Sequence, residues 1–314
     1  MYNLSTPVVF LIYRRPDLTQ QVFNEIAKAQ PKQLFVVADG PKTPEDMPRC
    51  QATRAIIDQV NWDCDVKTNY ADQNMGLRKR ISSGLNWVFD QVDRAIILED
   101  DCVPHPTFFR FCEELLEKYK DDERVMNIGG DNFGYNKRPQ DIKDSYYFSS
   151  FANIWGWATW RRAWQRYDAD MRTWSDPISR QSVLSQFPTK LEHDYWERLF
   201  DLTVAGQIPS WAYPWMYTCR VYNGLCIIPY TNQIKNIGVA VEATNTKDPK
   251  NPRADLATYD IQFPLIHPQT QQINFKRDRK MGYFLASQYT LPYRALYKAK
   301  YLLKRFIKRI RNDN

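Results

Sequence analysis

The sequence predicts an α/β fold, a mostly parallel sheet flanked by helices, whose second half is built differently from its first. Over the first hundred residues, short apolar runs alternate with amphipathic stretches, the pattern of strand and crossover helix. After residue 128 the alternation weakens and Gly, Asn, Trp and Tyr become frequent, as where loops and short strands shape a site. A chain of 314 residues suits one large domain, or two halves sharing a core.

Residues 8–13 read as a buried strand, and 17–29 as a helix with Leu18, Val22 and Ile26 on one face. The strand signal returns at 34–38 and runs into the turn Asp39-Gly40-Pro41, with a second helix expected over 49–60. A third strand is expected at 63–69, a helix at 77–92, and a strand at 94–98 that ends abruptly in Glu99-Asp100-Asp101. Residues 108–119 are helical again. These segments divide the chain into a first half, 1–128, a second half, 129–290, and a basic amphipathic tail, 291–314. The Pro/Asn/Lys-rich stretch 246–253 reads as a mobile loop.

Composition excludes several classes. Hydrophobic residues at 43% and charged residues at 25% are the proportions of an ordinary globular protein. The net charge of +7 sits mostly in residues 298–314, whose seven Lys or Arg and one Asp carry +6, leaving +1 for the body. So neutral a body argues against a phosphate-tracking surface, and no nucleic-acid partner is expected. Six cysteines show neither disulfide-scaffold density nor Cys-x-x-Cys spacing, and no histidine has a partner at zinc spacing. No apolar run reaches the length of a spanning helix, so a cytoplasmic chain is expected. In the tail, Ala299, Leu302, Leu303, Phe306 and Ile310 share a helical face among Lys and Arg, which suits peripheral contact with an anionic membrane at its inner face.

In open α/β sheets ligands sit beyond the carboxyl ends of the strands, so the polar residues that end each strand are the first candidates. They are Arg14, Asp39 and the Asp100-Asp101 pair. A cation, a lone carboxylate and a carboxylate pair on one edge can hold diphosphate, nucleoside and a hard divalent ion respectively. An acidic turn is common at any surface, but three successive acids repel one another unless a cation sits among them. Asp39 before Gly is also a usual turn former. In the stretch 156–164, Trp157, Trp160 and Trp164 fall at helical spacing and read as core packed on one face.

The segment AIILEDDCVPHPTFF resembles the strand-Glu-Asp-Asp-turn-helix of GT-A nucleotide-sugar glycosyltransferases. The nearest likeness is to the inverting N-acetylglucosaminyltransferase of N-glycan branching. LIYRRP, VVADGP, IGGDNFG and GWATWRRAW follow in that family's order, and YNGLCIIPYTNQIKNIG resembles bacterial family-2-like members, covering residues 7–246. The resemblance implies a Rossmann-like GT-A fold and transfer of a sugar from a nucleotide-sugar, a UDP-sugar, to a glycan or lipid-linked acceptor hydroxyl with inversion. The first half would then bind the donor and the second the acceptor.

By position, the resemblance makes Asp101 the ligand of Mn²⁺ or Mg²⁺, and Asp100 its neighbour facing metal-bound water or ribose. Asp39 would meet the uracil, Arg14 the diphosphate and Arg80 the nucleotide, with Gly156 and Trp157 flooring the sugar pocket. Two departures stand out. Some relatives carry an Asp, the natural base, where this chain has Ala212, and a His where it has Asn245. The base is therefore expected at Asp194, with Glu192 and Glu197 as rivals and a helix cap as its alternative role. Two other readings remain: a non-catalytic carbohydrate-binding protein on the same fold, favoured by Ala212 and Asn245, and a nucleotidyltransferase. The second wants a Gly-rich first loop, which Tyr13-Arg14-Arg15-Pro16 is not.

Overall fold

The computed structural model describes residues 4–133, 142–238 and 256–287. The first half builds as its periodicity dictates. β1 (Val8–Ile12), α1 (Pro16–Ala29), β2 (Gln33–Ala38), α2 (Met47–Ala55), β3 (Asp65–Tyr70), α3 (Leu77–Phe89) and β4 (Arg94–Glu99) alternate strictly. β3, β2, β1 and β4 lie side by side, all parallel.

Side chains alternate across these strands, so each strand feeds two cores. Val9, Leu11, Phe35, Val37 and Ile97 pack against Ile81, Leu85 and Val88 of α3. Val8, Phe10, Leu34, Val36, Ile96 and Leu98 face α1 and the next helix, α4 (Thr107–Lys118). Burial on both faces explains why the strands read as continuous apolar runs.

The second half extends the same sheet. β5 (Cys102–Pro104) follows the acidic turn, then β6 (Val125–Gly129), β7 (Tyr146–Ser149) and β8 (Trp157–Trp160). α5 (Arg161–Trp164), α6 (Pro177–Leu184), α7 (Lys190–Val204) and α8 (Ala212–Val221) precede β9 (Leu225–Pro229), β10 (Ile234–Asn236) and α9 (Phe275–Ser287). The eight-stranded order is β3-β2-β1-β4-β8-β6-β9-β7, with β8 antiparallel to both β4 and β6. β5 and β10 form a separate antiparallel pair above the acidic turn.

Two local expectations are corrected. The helix expected over 49–60 stops at Ala55 and tightens into a 3₁₀ turn over Ile56–Gln59, burying Ile56 and Ile57. The three tryptophans do not share a helical face, because 157–160 is a strand and only Arg161–Trp164 is helical. All three are buried, but Trp157 and Trp164 join one core and Trp160 the other. Of the expected features, the tail 291–314, the loop 246–253 and Asn245 lie outside the described residues. Among the described residues, no helix is long and apolar enough to cross a membrane.

Candidate active site

The strand order places the reversal of connection between β1 and β4, and the crevice beyond the carboxyl ends of such strands is where ligands bind in this architecture. A cavity of about 320 Å³ opens there, lined by the residues after β1, β2 and β4 and by the walls Ile154, Trp155, Ser210, Trp211 and Ala212. Arg14, Asp39, Arg80, Asp100 and Asp101 all line it. The strand ends predict four of these at one edge, and the family resemblance adds Arg80.

Asp100 and Asp101 share a cation that sequence reading passed over. Pro16 opens α1 and leaves Arg15 at its N-cap position, projecting across the crevice. Its guanidinium lies 3.0 Å from the Asp101 carboxylate and pairs with Asp100, whose Oδ2 also accepts from the Tyr13 amide at 3.3 Å. Burial works against the charge of Arg15, but Asp100 and Asp101 outweigh it and raise its pKa. Burial raises Asp100, with Arg15 opposing. Burial and then the charges of Asp101 and Asp100 push the Glu99 carboxyl up to about 8. Arg15 was discoverable only as the neighbour of Arg14 in a doubly basic turn.

Arg14 itself lines the cavity but pairs with Asp46. Arg80, only 5% exposed, donates to the Ala38 carbonyl at 3.1 Å and to Asn69 Oδ1 at 2.7 Å, fastening the ends of β2 and β3. Asp39 is also a fastener. Its carboxylate accepts from the amides of Gly40, Met75 and Gly76 and from the Asn74 side chain. A Cβ at Gly40 would stand 2.4 Å from the Gln73 backbone, so only glycine lets the two loops meet.

Three candidate residues fall elsewhere. Gly156 and Trp157 do not line the cavity: Gly156 is closed over by Ile234 and Leu98, and Trp157 is fully buried behind Trp211, ring centroids 5.5 Å apart. Trp155 and Trp211 occupy the wall instead. Asp194 stands on the solvent face of α7, 2.7 Å from the Lys190 ammonium, and does not line the cavity. It does not cap that helix either, since Thr189 and Glu192 form the capping box. With His193 and Glu197 it brings three potential ligand atoms within 4.8 Å of one another, but Lys190 and Arg180 already neutralise both acids.

Whether a divalent ion suits the crevice can be judged from the donors. Asp100 and Asp101 set their carboxylates side by side on the crevice wall, the oxygen donors that a hard divalent ion takes, and share the Arg15 guanidinium between them. Gly238 approaches so closely that a Cβ there would lie 2.1 Å from Asp101 Oδ2, and its absence keeps that oxygen clear. The residues fit a hard cation.

No family model matches the chain, and no curated protein matches it. Among solved structures it is similar to S. aureus TarS 1–349, at 11% identity over 73% of this chain and 59% of that one, TM-score 0.41. The likeness thus spans less than two thirds of the TarS chain. It is similar to the galactosyltransferase LgtC, in complex with donor and acceptor sugar analogs, at 11% identity over 70% of this chain and 72% of that one, TM-score 0.37. UDP-glucose pyrophosphorylase complexed with UDP-glucose matches over 51% of this chain and 70% of that one at 11% identity, TM-score 0.28.

Proposed function

We propose that the chain is a glycosyltransferase of the GT-A type that moves a sugar from a nucleotide-sugar, a UDP-sugar, to an acceptor hydroxyl. The observation that supports this best is the carboxylate pair Asp100-Asp101, set at the sheet's reversal point and sharing one guanidinium inside a crevice with further cations. Asp101, with Asp100 beside it, would hold Mn²⁺ or Mg²⁺, and such an ion neutralises charge on a departing diphosphate.

The chain's own residues divide the remaining work. Arg14, Arg15 and Lys42 line the crevice and supply positive charge for phosphate oxygens. The turn fastened by Asp39 shapes the nucleoside end, and Trp155 and Trp211 offer flat apolar walls to a sugar ring. Inverting transfer needs a base opposite the leaving group. On the wall formed by Ser210, Trp211 and Ala212 there is no carboxylate. That observation favours a second reading, a protein that binds the nucleotide-sugar without transferring it.

Titration calorimetry with UDP, with Mn²⁺ and with chelator, followed by assay of UDP release from UDP-sugars, tests both. Metal-dependent UDP binding with turnover supports the transferase, and the same binding without turnover selects the second reading. Absence of UDP binding would remove both. We further propose that the protein is cytoplasmic and peripheral at the inner membrane face, through the basic sequence 298–314.

A further inference from the structure

A second cavity, of about 1150 Å³, lies between α9, the α6–α7 connection and the end of α8, and shares no lining residue with the first. One of its lining residues is Arg220, 2% exposed. The guanidinium stacks near the rings of Phe187 and Phe151, 4.2 and 4.9 Å from their centroids. Among the described residues its side chain makes one hydrogen bond, a long one of 3.3 Å to the Gln186 carbonyl, and Nε is buried without a partner there.

The nearby acids, Asp278 first and then Glu192, answer this charge only at a distance. Asp278 accepts from Ser149 Oγ and from both the amide and the hydroxyl of Ser150, and Glu192 Oε2 accepts from Thr189. Among the described residues neither makes a hydrogen bond to Arg220, and burial, opposed first by the Asp278 charge, brings the Arg220 pKa down to about 10. A guanidinium has five donors in a planar fork, so the described residues leave most of this one's capacity unused in a place that water reaches poorly.

The rest of the lining indicates what would use it. Lys276, Arg279 and Lys280 join Arg220, against Asp278 as the acid of the lining. Apolar surface continues outward from Phe151 and Ile273 to Phe275 and Tyr283, which are 76% and 59% exposed. We propose that this cavity binds a phosphate ester carrying an apolar chain, its phosphate oxygens on the Arg220 fork and its chain along Phe275 and Tyr283. The phosphate head follows from the Arg220 fork with Lys276 and Arg279 beside it, which suit a group of more than one negative charge, and the chain from the aromatic mouth. The inference does not rest on sugar transfer.

Octyl phosphate, below its micelle concentration, is the probe, titrated calorimetrically into the full chain. Inorganic phosphate and the neutral tetraethylene glycol monooctyl ether are the comparison arms. Octyl phosphate should bind one to one and about tenfold or more tighter than either, since hydrogen bonds to charged groups and apolar contact each contribute at that scale. Arg220→Gln should weaken it about tenfold or more. Because that buried change can unfold the chain, the exposed double variant Lys276→Gln/Arg279→Gln is measured too and should also bind more weakly. Unchanged affinity in the double variant overturns the proposal. So does equal affinity for the neutral ether, which would mean an apolar groove, or for inorganic phosphate, which would mean a plain anion site.

Discussion

The Arg15 guanidinium, 3.0 Å from the Asp101 carboxylate, ties the loop after β1 to the loop after β4 across the mouth of the crevice. One side chain thus compensates acids contributed by the neighbouring strand, and its removal leaves two carboxylates facing each other. Arg15→Gln should lower the melting temperature in chelator, and Mn²⁺ should restore part of the loss, because an ion bound only by the folded state stabilises it by mass action. Thermal unfolding with and without Mn²⁺ measures both. A variant as stable as the parent in chelator would show that the pair needs no cation.

Asp101→Asn should abolish the enhancement of UDP binding by Mn²⁺, since a hard ion loses a charged oxygen donor. Affinity in chelator should be nearly unchanged. Calorimetry comparing the two conditions decides it, and a retained metal effect would move the ion elsewhere.

Asp194→Asn should leave turnover within about twofold of the parent, for a carboxylate on the solvent face and paired with Lys190 has no route to the crevice. A general base would cost roughly 10²–10⁴-fold. Ala212→Asp, which puts a carboxylate on the acceptor-side wall, should raise turnover of a slow parent. Steady-state kinetics of both variants separate the positions.

Glu192 is fully buried, with Oε1 lacking a partner, and burial raises its pKa against the opposing Thr189 hydrogen bonds and Arg220 charge. A carboxyl raised in the folded state contributes stability that is fully present below its unfolded value, about 4.5, and is lost as pH rises through the folded one. Glu192→Gln keeps the capping pattern and removes the titration. Its melting temperature should therefore gain on the parent as pH rises above about 4.5. A constant difference across that range would refute the assignment.

The strands and helices of the first half were legible because burial on both sheet faces leaves long apolar runs, and the residues that end them fell where the topology put them. Asp100, Asp101, Asp39 and Arg14 reached the cavity for that reason, and Arg80 reached it from the first turn of α3. The rest depended on contacts between distant segments. Trp157 and Trp160 face opposite cores because a strand, not a helix, carries them, and four residues cannot distinguish the two periods. Asp194 lies in a helix whose inward face is set by Trp196, Leu199 and Phe200, two positions before Trp196 and so on the opposite side. Arg15 differs from Arg14 only in direction, which the N-terminal turn of α1 decides.

Asp39 has a consequence for how nucleotide choice could change over time. Its two oxygens already serve four donors from residues 40 and 74–76, so it acts as a rivet joining two turns rather than as a reader of bases. A rivet passes on the shape of what it joins. On the proposed function, drift in donor preference would then arise from substitutions at 73–76, which alter the contour of that end of the crevice, while position 39 stayed the same. Two descendants of this chain could differ in the base they accept and yet carry an identical Asp-Gly-Pro.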